Sequence, residues 1–273
     1  MKKNVWFIWT WFIGWNMADN FKDREYPVVQ YSLEDEYIWN KDKVKETDVV
    51  FIAVPTPTKD RKFDDSVLIK AVENTKPWQR IVIKSTVLAW TVEKLQKLFP
   101  DRYFFHSAEF LTERNARDDV DNPTRNVVWY TEQSKEYAKE IMDILPDSKI
   151  NVICKATESE LGKYFGNFLL TAKIIMANLM YDVCKKNWID YEVVKHIAWT
   201  DPRIWESHLS VEFEWGRGAN WHCFPKDLSA FHEMYWQSGL WHILLEAMEM
   251  YNVQLNRITG KQLDIIEEVY WKE

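Results

Sequence analysis

The sequence is short of glycine, the residue that tight turns use most. It contains 7 glycines among 273 residues, whereas average usage of about 7% predicts roughly 19. The same chain contains 16 tryptophans, and some stand where turns favour glycine, such as Trp11 after a strand-like run and Trp188 between two helical patterns. Tryptophan adopts a positive φ only at a cost and places a ring where backbones approach closely. The residues at these turns are therefore not the ones that the neighbouring strands and helices require there.

Other absences exclude whole classes of protein. No stretch approaches ~18 uncharged apolar residues, so we expect no membrane span. The net charge of -7 argues against a nucleic-acid partner, which calls for a basic face. The cysteines are odd in number, far apart and without metal-ligand spacing, which favours a reducing cytoplasm over a disulfide framework and predicts no metal site; they are Cys154, Cys184 and Cys223.

Residues 1–154 alternate short apolar strands with helices. This pattern predicts an α/β fold with a Rossmann-like, doubly wound parallel sheet. Such sheets bind ligands beyond the carboxyl ends of their strands. The predicted strands are Asn4–Ile8, Pro27–Tyr31, Val49–Val54, Arg80–Lys84, Tyr103–His106, Asn126–Tyr130 and Lys149–Cys154.

Residues 155–273 have a different pattern and predict an all-helical domain. Between Ser159 and Asn187 there is no proline, and apolar residues recur at helical spacing. The pattern predicts one central helix of ~40 Å, and shorter helices follow near 191–198, 227–237, 240–257 and 261–269. A helix this long usually packs against more than one partner, so we expect a homodimer through it.

The first strand–turn–helix is where a Gly-x-Gly-x-x-Gly dinucleotide fingerprint would lie. Its third position is Gly14, but Trp9 and Trp11 occupy the first two. An indole at Trp11 would fill the space that the phosphates need. The acidic residue expected at the end of the second strand is also missing, since Gln30 and Tyr31 stand there. By itself the loop disfavours a dinucleotide, and it leaves the choice of NAD or NADP open.

Polar residues follow the apolar strands at the expected ligand edge, and others lie on the long helix. The hydroxyls of Thr56, Ser85 and Thr86 could contact a ribose, a phosphate or a substrate alcohol, but ordinary turns use such residues too. Lys163 and Asn167 could hold a substrate hydroxyl and stabilise an oxyanion. A solvated pair of Glu160 and Lys163 explains the spacing equally well.

The segment Cys223-Phe224-Pro225-Lys226-Asp227 puts a thiol, an ammonium and a carboxylate within five residues. A small buried cysteine at a helix start explains it equally well, because free cysteine usually behaves as a small hydrophobe.

Taken in order, six segments resemble the UDP-glucose/GDP-mannose 6-dehydrogenase family. The resemblance covers nearly the whole chain but only the family's N-terminal two domains, without its C-terminal nucleotide-binding domain. The segments are Val54-Pro55-Thr56-Pro57, Ser85-Thr86-Val87, Glu109-Phe110-Leu111-Thr112-Glu113, Lys163 with Asn167, Asp201-Pro202-Arg203-Ile204, and Cys223-Phe224-Pro225-Lys226-Asp227.

The resemblance implies an NAD-dependent, four-electron oxidation of a nucleotide-sugar C6 alcohol to a uronic acid. Cys223 would attack the intermediate aldehyde and later carry a thioester. Lys163 and Asn167 would stabilise the alkoxide-like oxygen, while Thr86, Glu109 and Asp227 would position water. The implied cofactor-binding residues are Thr10, Phe12, Ile13, Gly14, Val54, Pro55, Thr56, Ser85, Thr86 and Glu113. The implied substrate-binding residues are Phe110, Leu111, Lys163, Asn167, Arg203 and Lys226.

Two alternatives stay open at this point. A β-hydroxyacid dehydrogenase of the 6-phosphogluconate type shares the sheet domain, the long helix and a Lys-x-x-x-Asn pair, but has no use for Cys223. A catalytically dead scaffold, with tryptophans filling the cofactor cleft, would need none of these side chains.

Overall fold

The computed structural model describes residues 2–9, 12–59, 62–108, 115–212, 216–219, 223–235, 239–260 and 263–270. The chain divides into two compact units. The first comprises Met1–Thr56 with Asp64–Lys163, and the second comprises Pro57–Phe63 with Tyr164–Glu273. The sequence places the domain boundary after residue 154, near the start of the longest helix, whereas the units divide later, within that helix.

Within the described residues, seven strands of the first unit form one sheet in the order β2-β1-β3-β6-β7-β8-β9. This confirms the α/β, Rossmann-like fold. The expectation of a parallel sheet is wrong for one pair, since β8 runs antiparallel to β7; an apolar strand pattern does not encode strand direction. The strands, including the short β4–β5 hairpin of the second unit, are β1 Val5–Trp9, β2 Val28–Tyr31, β3 Val49–Ala53, β4 Thr58–Lys59, β5 Lys62–Phe63, β6 Arg80–Ile83, β7 Tyr103–His106, β8 Arg125–Tyr130 and β9 Ile150–Lys155.

The helices agree with the predicted pattern to within a few residues, apart from α4 and a 3-10 helix at Ile38–Glu46, which the pattern did not reveal. The helix predicted to start at Asp227 starts at Cys223, so Pro225 lies in its first turn. Proline is tolerated there because the first N–H groups of a helix have no intrahelical acceptor. The α-helices are α1 Phe12–Asp23, α2 Ser66–Glu73, α3 Thr91–Leu98, α4 Ala116–Asp121, α5 Ala138–Ile144, α6 Ala156–Lys186, α7 Tyr191–Trp199, α8 Cys223–Tyr235, α9 Trp241–Thr259 and α10 Leu263–Tyr270.

The core of the first unit lies against the central strands. All five residues of β3 are buried, as expected for a strand with both faces covered. On one face Phe7 stacks on Phe51 with ring centroids 5.0 Å apart, and Phe21 from α1 meets Phe7 edge-on at 5.3 Å. These aromatic contacts fix α1 against the strands that end at the expected ligand edge.

The second unit is held by smaller apolar clusters between helices. Phe168 and Ile175 of α6 pack against Leu228 of α8 and Met248 of α9. In α10, Ile266 is buried with Val253 of α9. The first turn of α8 is therefore carried on a packed helical layer.

Three tryptophans adopt the left-handed backbone that favours glycine. The φ angles are 68° at Trp78, 67° at Trp90 and 57° at Trp188. Trp188 closes α6: its N–H donates to the carbonyl of Lys185 (3.4 Å), and the next N–H donates to the carbonyl of Cys184 (2.9 Å), which is a Schellman motif. Helix α9 ends in the same backbone conformation at Gly260, with φ 67°. This confirms the conflict between tryptophan and turn chemistry.

We expect Trp188→Gly to raise the free energy of unfolding by about 0.5–1 kcal/mol. The left-handed conformation costs a non-glycine residue roughly 1–2 kcal/mol, and glycine's greater freedom in the unfolded chain offsets part of the gain. The side chain of Trp188 is 97% exposed, so its removal sacrifices little burial. Chemical denaturation measures the difference. Trp188→Ala is the control, because alanine keeps the Cβ; an equal gain in that variant would show that backbone strain is not the cause.

Candidate active-site residues in the two units

Side chains link the carboxyl ends of two neighbouring strands, β3 and β6. The Ser85 hydroxyl, just after β6, accepts from the Val54 N–H (3.0 Å) and donates to the Val54 carbonyl (2.7 Å). The Thr56 hydroxyl donates to the carbonyl of Thr86 at 2.7 Å. Ser85 and Thr56 therefore hold the ends of β3 and β6 together. The half-buried side chain of Thr86 lies on a loop whose backbone is fixed by these hydrogen bonds. Their predicted contacts with a ligand stay predictions.

A buried basic pair at the same edge escaped the sequence reasoning. Lys84 donates from Nζ to the Ser107 hydroxyl at 3.2 Å, and the buried His106 donates from Nε2 to the Ser85 carbonyl at 2.9 Å. Burial lowers the pKa of Lys84 to about 7. Burial and the nearby charges of Lys84 and Lys163 lower the pKa of His106 to about 3, against the opposing effect of its hydrogen bond. The available signal was a lysine directly after an apolar strand.

Glu160, at the start of α6, caps another helix. It is fully buried, and its carboxylate accepts the backbone N–H groups of Trp90 (2.7 Å) and Val92 (3.2 Å), which satisfies free donors at the N-terminus of α3. Burial raises the pKa of Glu160 to about 7, although these two hydrogen bonds oppose the rise. The interpretation as a solvated pair with Lys163 is therefore wrong.

Glu160 makes the stability of the first unit depend on pH. Its folded pKa of about 7 lies above its ordinary value of 4.5, so the folded protein binds the proton more tightly. The protonated Glu160 therefore adds to the free energy of unfolding. This gain is fully present below the pKa of the unfolded chain and is lost as the pH rises through the pKa of the folded protein. We expect Glu160→Gln to remove the fall in unfolding free energy between those two pH values, measured by denaturation across a pH series. Glu158→Gln is the control; a slope unchanged in Glu160→Gln would rule out this origin.

In the second unit, the first turn of α8 carries a buried polar cluster. The Asn167 amide donates from Nδ2 to Asp227 Oδ2 at 2.6 Å, and Lys226 Nζ lies 3.3 Å from Asp227 Oδ1. Asn167 and Asp227 are 8% and 1% exposed. Cys223 begins the same helix, and its side chain lies outside the described residues. The structure thus brings together three of the predicted site residues, Asn167, Lys226 and Asp227.

This turn is fixed from neighbouring elements of the same unit. The Tyr270 hydroxyl donates to the Pro225 carbonyl (3.3 Å), and the Thr58 hydroxyl of the β4–β5 hairpin donates to the Lys226 carbonyl (3.4 Å). Functional groups held by rigid elements and supporting hydrogen bonds keep their geometry.

Buried amides fix the segment before Cys223, and the sequence reasoning missed them. The Asn252 side chain accepts from the Ala219 N–H (2.6 Å) and donates to the Ala219 carbonyl (2.7 Å). Gly218 has φ +94°, and a Cβ there would lie 2.9 Å from side-chain atoms of Asn252 and Asn256. Glycine is therefore required at this position. The available signal was asparagine on otherwise apolar helical faces.

The other predicted site residues are spread over both units. Lys163 is half-buried on α6, four residues before Asn167. Arg203 lies in an exposed ion pair, with Nε 2.9 Å from Asp201 Oδ1. Gly14 is buried within α1, Val54 is buried and Pro55 is exposed. Outside the described residues lie Thr10, Glu109, Phe110, Leu111, Glu113 and the side chain of Phe12.

Two family models match the chain. The NAD binding domain of the UDP-glucose/GDP-mannose dehydrogenase family matches residues 30–145, and the central domain of the same family matches residues 157–254. The chain belongs to the UDP-glucose/GDP-mannose dehydrogenase family. The family assignment that the six segments predicted is confirmed.

Individual relatives agree with the family. The chain is 28% identical over 244 residues to the UDP-glucose 6-dehydrogenase of Pseudomonas aeruginosa, covering 83% of this chain and 53% of that protein. It spans about half the length of the curated relatives it matches. In fold it is similar to a UDP-glucose dehydrogenase of Pyrobaculum islandicum (TM-score 0.80, 23% identity, 95% of this chain, 72% of that one). It also resembles a 3-hydroxyisobutyrate dehydrogenase of Mycobacterium tuberculosis (TM-score 0.74, 13% identity, 95% of each chain).

The strand order is that of a ligand-binding α/β sheet, but the loop after β1 lacks two glycines of the dinucleotide fingerprint. Strand β1 lies between β2 and β3, so the strand order reverses between β1 and β3, which is where doubly wound sheets bind their ligands. At the carboxyl end of β2 the buried residues are Gln30, Tyr31 and Ser32. The Ser32 hydroxyl accepts the Glu34 N–H at 3.1 Å, and the first carboxylate after the strand is that of the exposed Glu34. The fingerprint positions hold Trp9 and Trp11 in place of two glycines, while the family domain that the chain matches is an NAD binding domain.

The described residues contain no group of three or more histidine, cysteine, aspartate or glutamate side chains that could hold a metal ion. Among them, no helix is both long and apolar enough to cross a membrane.

Proposed function

We propose that this chain carries the chemistry of an NAD-dependent dehydrogenase that oxidises the C6 alcohol of a nucleotide sugar, such as UDP-glucose, to a uronic acid. The observation that carries the proposal is the first turn of α8, where Asn167, Lys226 and Asp227 form one cluster and Cys223 begins the helix. The product class serves polysaccharide synthesis, and the scattered cysteines favour a cytoplasmic location.

Two residues of this turn, Cys223 and Asp227, have roles in the proposed chemistry, and two residues of α6 assist them. The thiol of Cys223 would add to the intermediate aldehyde to give a thiohemiacetal, transfer of a hydride to NAD would convert this to a thioester, and water would then break the carbon–sulfur bond to release the acid. A helix N-terminus favours negative charge, which is the charge that a thiolate nucleophile carries. The Asp227 carboxylate is fixed by Asn167 at 2.6 Å, as is needed to orient the hydrolytic water. Lys163, on α6, stabilises the substrate oxygen.

Alkylation of cysteine tests this assignment without the cofactor. We expect UDP-glucose or GDP-mannose to slow iodoacetamide labelling of Cys223 several-fold, because the substrate would cover the nucleophile. Peptide mass spectrometry measures the rate at each cysteine. Cys154, which is half-buried on β9, is the internal control and should label equally with and without the nucleotide sugar. Unchanged labelling of Cys223 with both nucleotide sugars would overturn the proposal.

A two-electron β-hydroxyacid dehydrogenase is the second candidate, favoured by the fold similarity to the mycobacterial enzyme. Such an enzyme uses the sheet domain and the Lys163–Asn167 pair but has no role for Cys223. Binding of 6-phosphogluconate, with no protection of Cys223 by a nucleotide sugar, would favour it. A chain that binds neither compound would act as a scaffold.

An apolar stripe on α6 supports a homodimer. Phe165, Leu169 and Met176 are 63%, 51% and 58% exposed, and Met180 and Val183 continue the same spacing along the helix. In a homodimer the stripe of one copy would pack against the stripe of the other, because a two-fold symmetric interface uses the same surface on both subunits.

The double substitution Phe165→Glu with Leu169→Glu should convert the dimer to a monomer, because it would bury like charges at the interface. Analytical ultracentrifugation measures the mass in solution. Ile258→Glu, on an exposed position of α9, is the matched control and should remain dimeric. A parent chain that sediments as a monomer would refute the homodimer.

A further inference from the structure

We propose that Trp9, Trp11, Trp78, Trp90 and Trp188 occupy glycine positions of the working enzyme, and that glycine at positions 9 and 11 is what its NAD site requires. The part concerning NAD rests on the proposed function. The part concerning the turns rests on backbone geometry alone.

The backbone at three of these positions is left-handed, and about half or more of each side chain is exposed. Trp78, Trp90 and Trp188 have φ between 57° and 68°, a region where a β-carbon costs free energy. Their side chains are 63%, 49% and 97% exposed. Large, exposed side chains therefore occupy turns whose conformation glycine adopts readily.

The same chain uses glycine elsewhere as those turns require. Gly260 closes α9 in the conformation in which Trp188 closes α6. At Gly218 the positive φ and the nearby amides leave no room for a β-carbon. By contrast, Gly162 and Gly166 lie inside α6, where a β-carbon would meet nothing within 4 Å and glycine weakens a helix. Glycine is thus absent from some turns whose conformation favours it, and it is present inside a helix that does not need it.

The fingerprint shows the same exchange in the sequence. Glycine at positions 9 and 11 would complete Gly-x-Gly-x-x-Gly with Gly14, which is buried in α1. The match to the family's NAD binding domain begins at residue 30, after the fingerprint. One type of exchange, glycine to tryptophan, therefore accounts for three of the five positive-φ positions that non-glycine residues occupy among the described residues, and for the incomplete fingerprint. A codon that one genetic code reads as tryptophan and another as glycine would produce this pattern.

The double substitution Trp9→Gly with Trp11→Gly tests the proposal. We expect the parent to bind no NAD at millimolar concentration, and the variant to bind NAD with a dissociation constant below about 1 mM, the upper end of ordinary enzyme affinities. Isothermal titration calorimetry measures both. Trp188→Gly is the matched control: it makes the same exchange at a remote turn and should not create NAD binding.

A folded double variant that binds no NAD would overturn the inference, and so would a parent that binds NAD as tightly as the variant. Circular dichroism establishes folding, and the single variant Trp11→Gly replaces the double variant if the latter does not fold. Protection of Cys223 by UDP-glucose is measured on the same preparations. Protection without NAD binding contradicts only the inference, whereas NAD binding without protection contradicts only the proposed substrate.

Discussion

The left-handed backbone at the turns is the constraint on which the rest of this structure depends. Each strand or helix must be connected to the next by a short segment, and several of these segments need a positive φ. At Gly218 and Gly260 the chain meets this need with glycine, while at Trp78, Trp90 and Trp188 it meets it with a residue that resists the conformation. The elements still form because apolar burial outweighs strain of roughly 1–3 kcal/mol per position. The strain falls on connections, which is where α/β enzymes hold their ligands.

Buried hydrogen bonds hold polar groups near the candidate site in both units. In the first unit Ser85 uses its hydroxyl as both donor and acceptor to Val54, and Glu160 caps α3. In the second unit Asn167 fixes Asp227, and Asn252 holds both backbone groups of Ala219. An unsatisfied polar group in such a place costs about 1–3 kcal/mol, so each network restricts its loop to one arrangement.

The sequence was sufficient for most of the elements because their apolar periodicity is strong. It predicted the long helix α6, and the family resemblance named Asn167, Lys226 and Asp227 as site residues. It could not give the antiparallel direction of β8, since an apolar strand reads the same in both directions. The sequence also did not reveal that Glu160 caps a helix or that the Lys84 amine is buried. A charged residue at the end of a strand or helix is usually exposed to solvent, and only the folded neighbours show otherwise.

The central claim is that tryptophan stands at positions where the working enzyme has glycine. Peptide mass spectrometry of the protein isolated from its native cells, covering residues 9, 11, 78, 90 and 188, tests it most directly. We expect the residue mass of glycine at each of these positions. Tryptophan at all of them, in a preparation that reduces NAD with a nucleotide sugar, would contradict the claim.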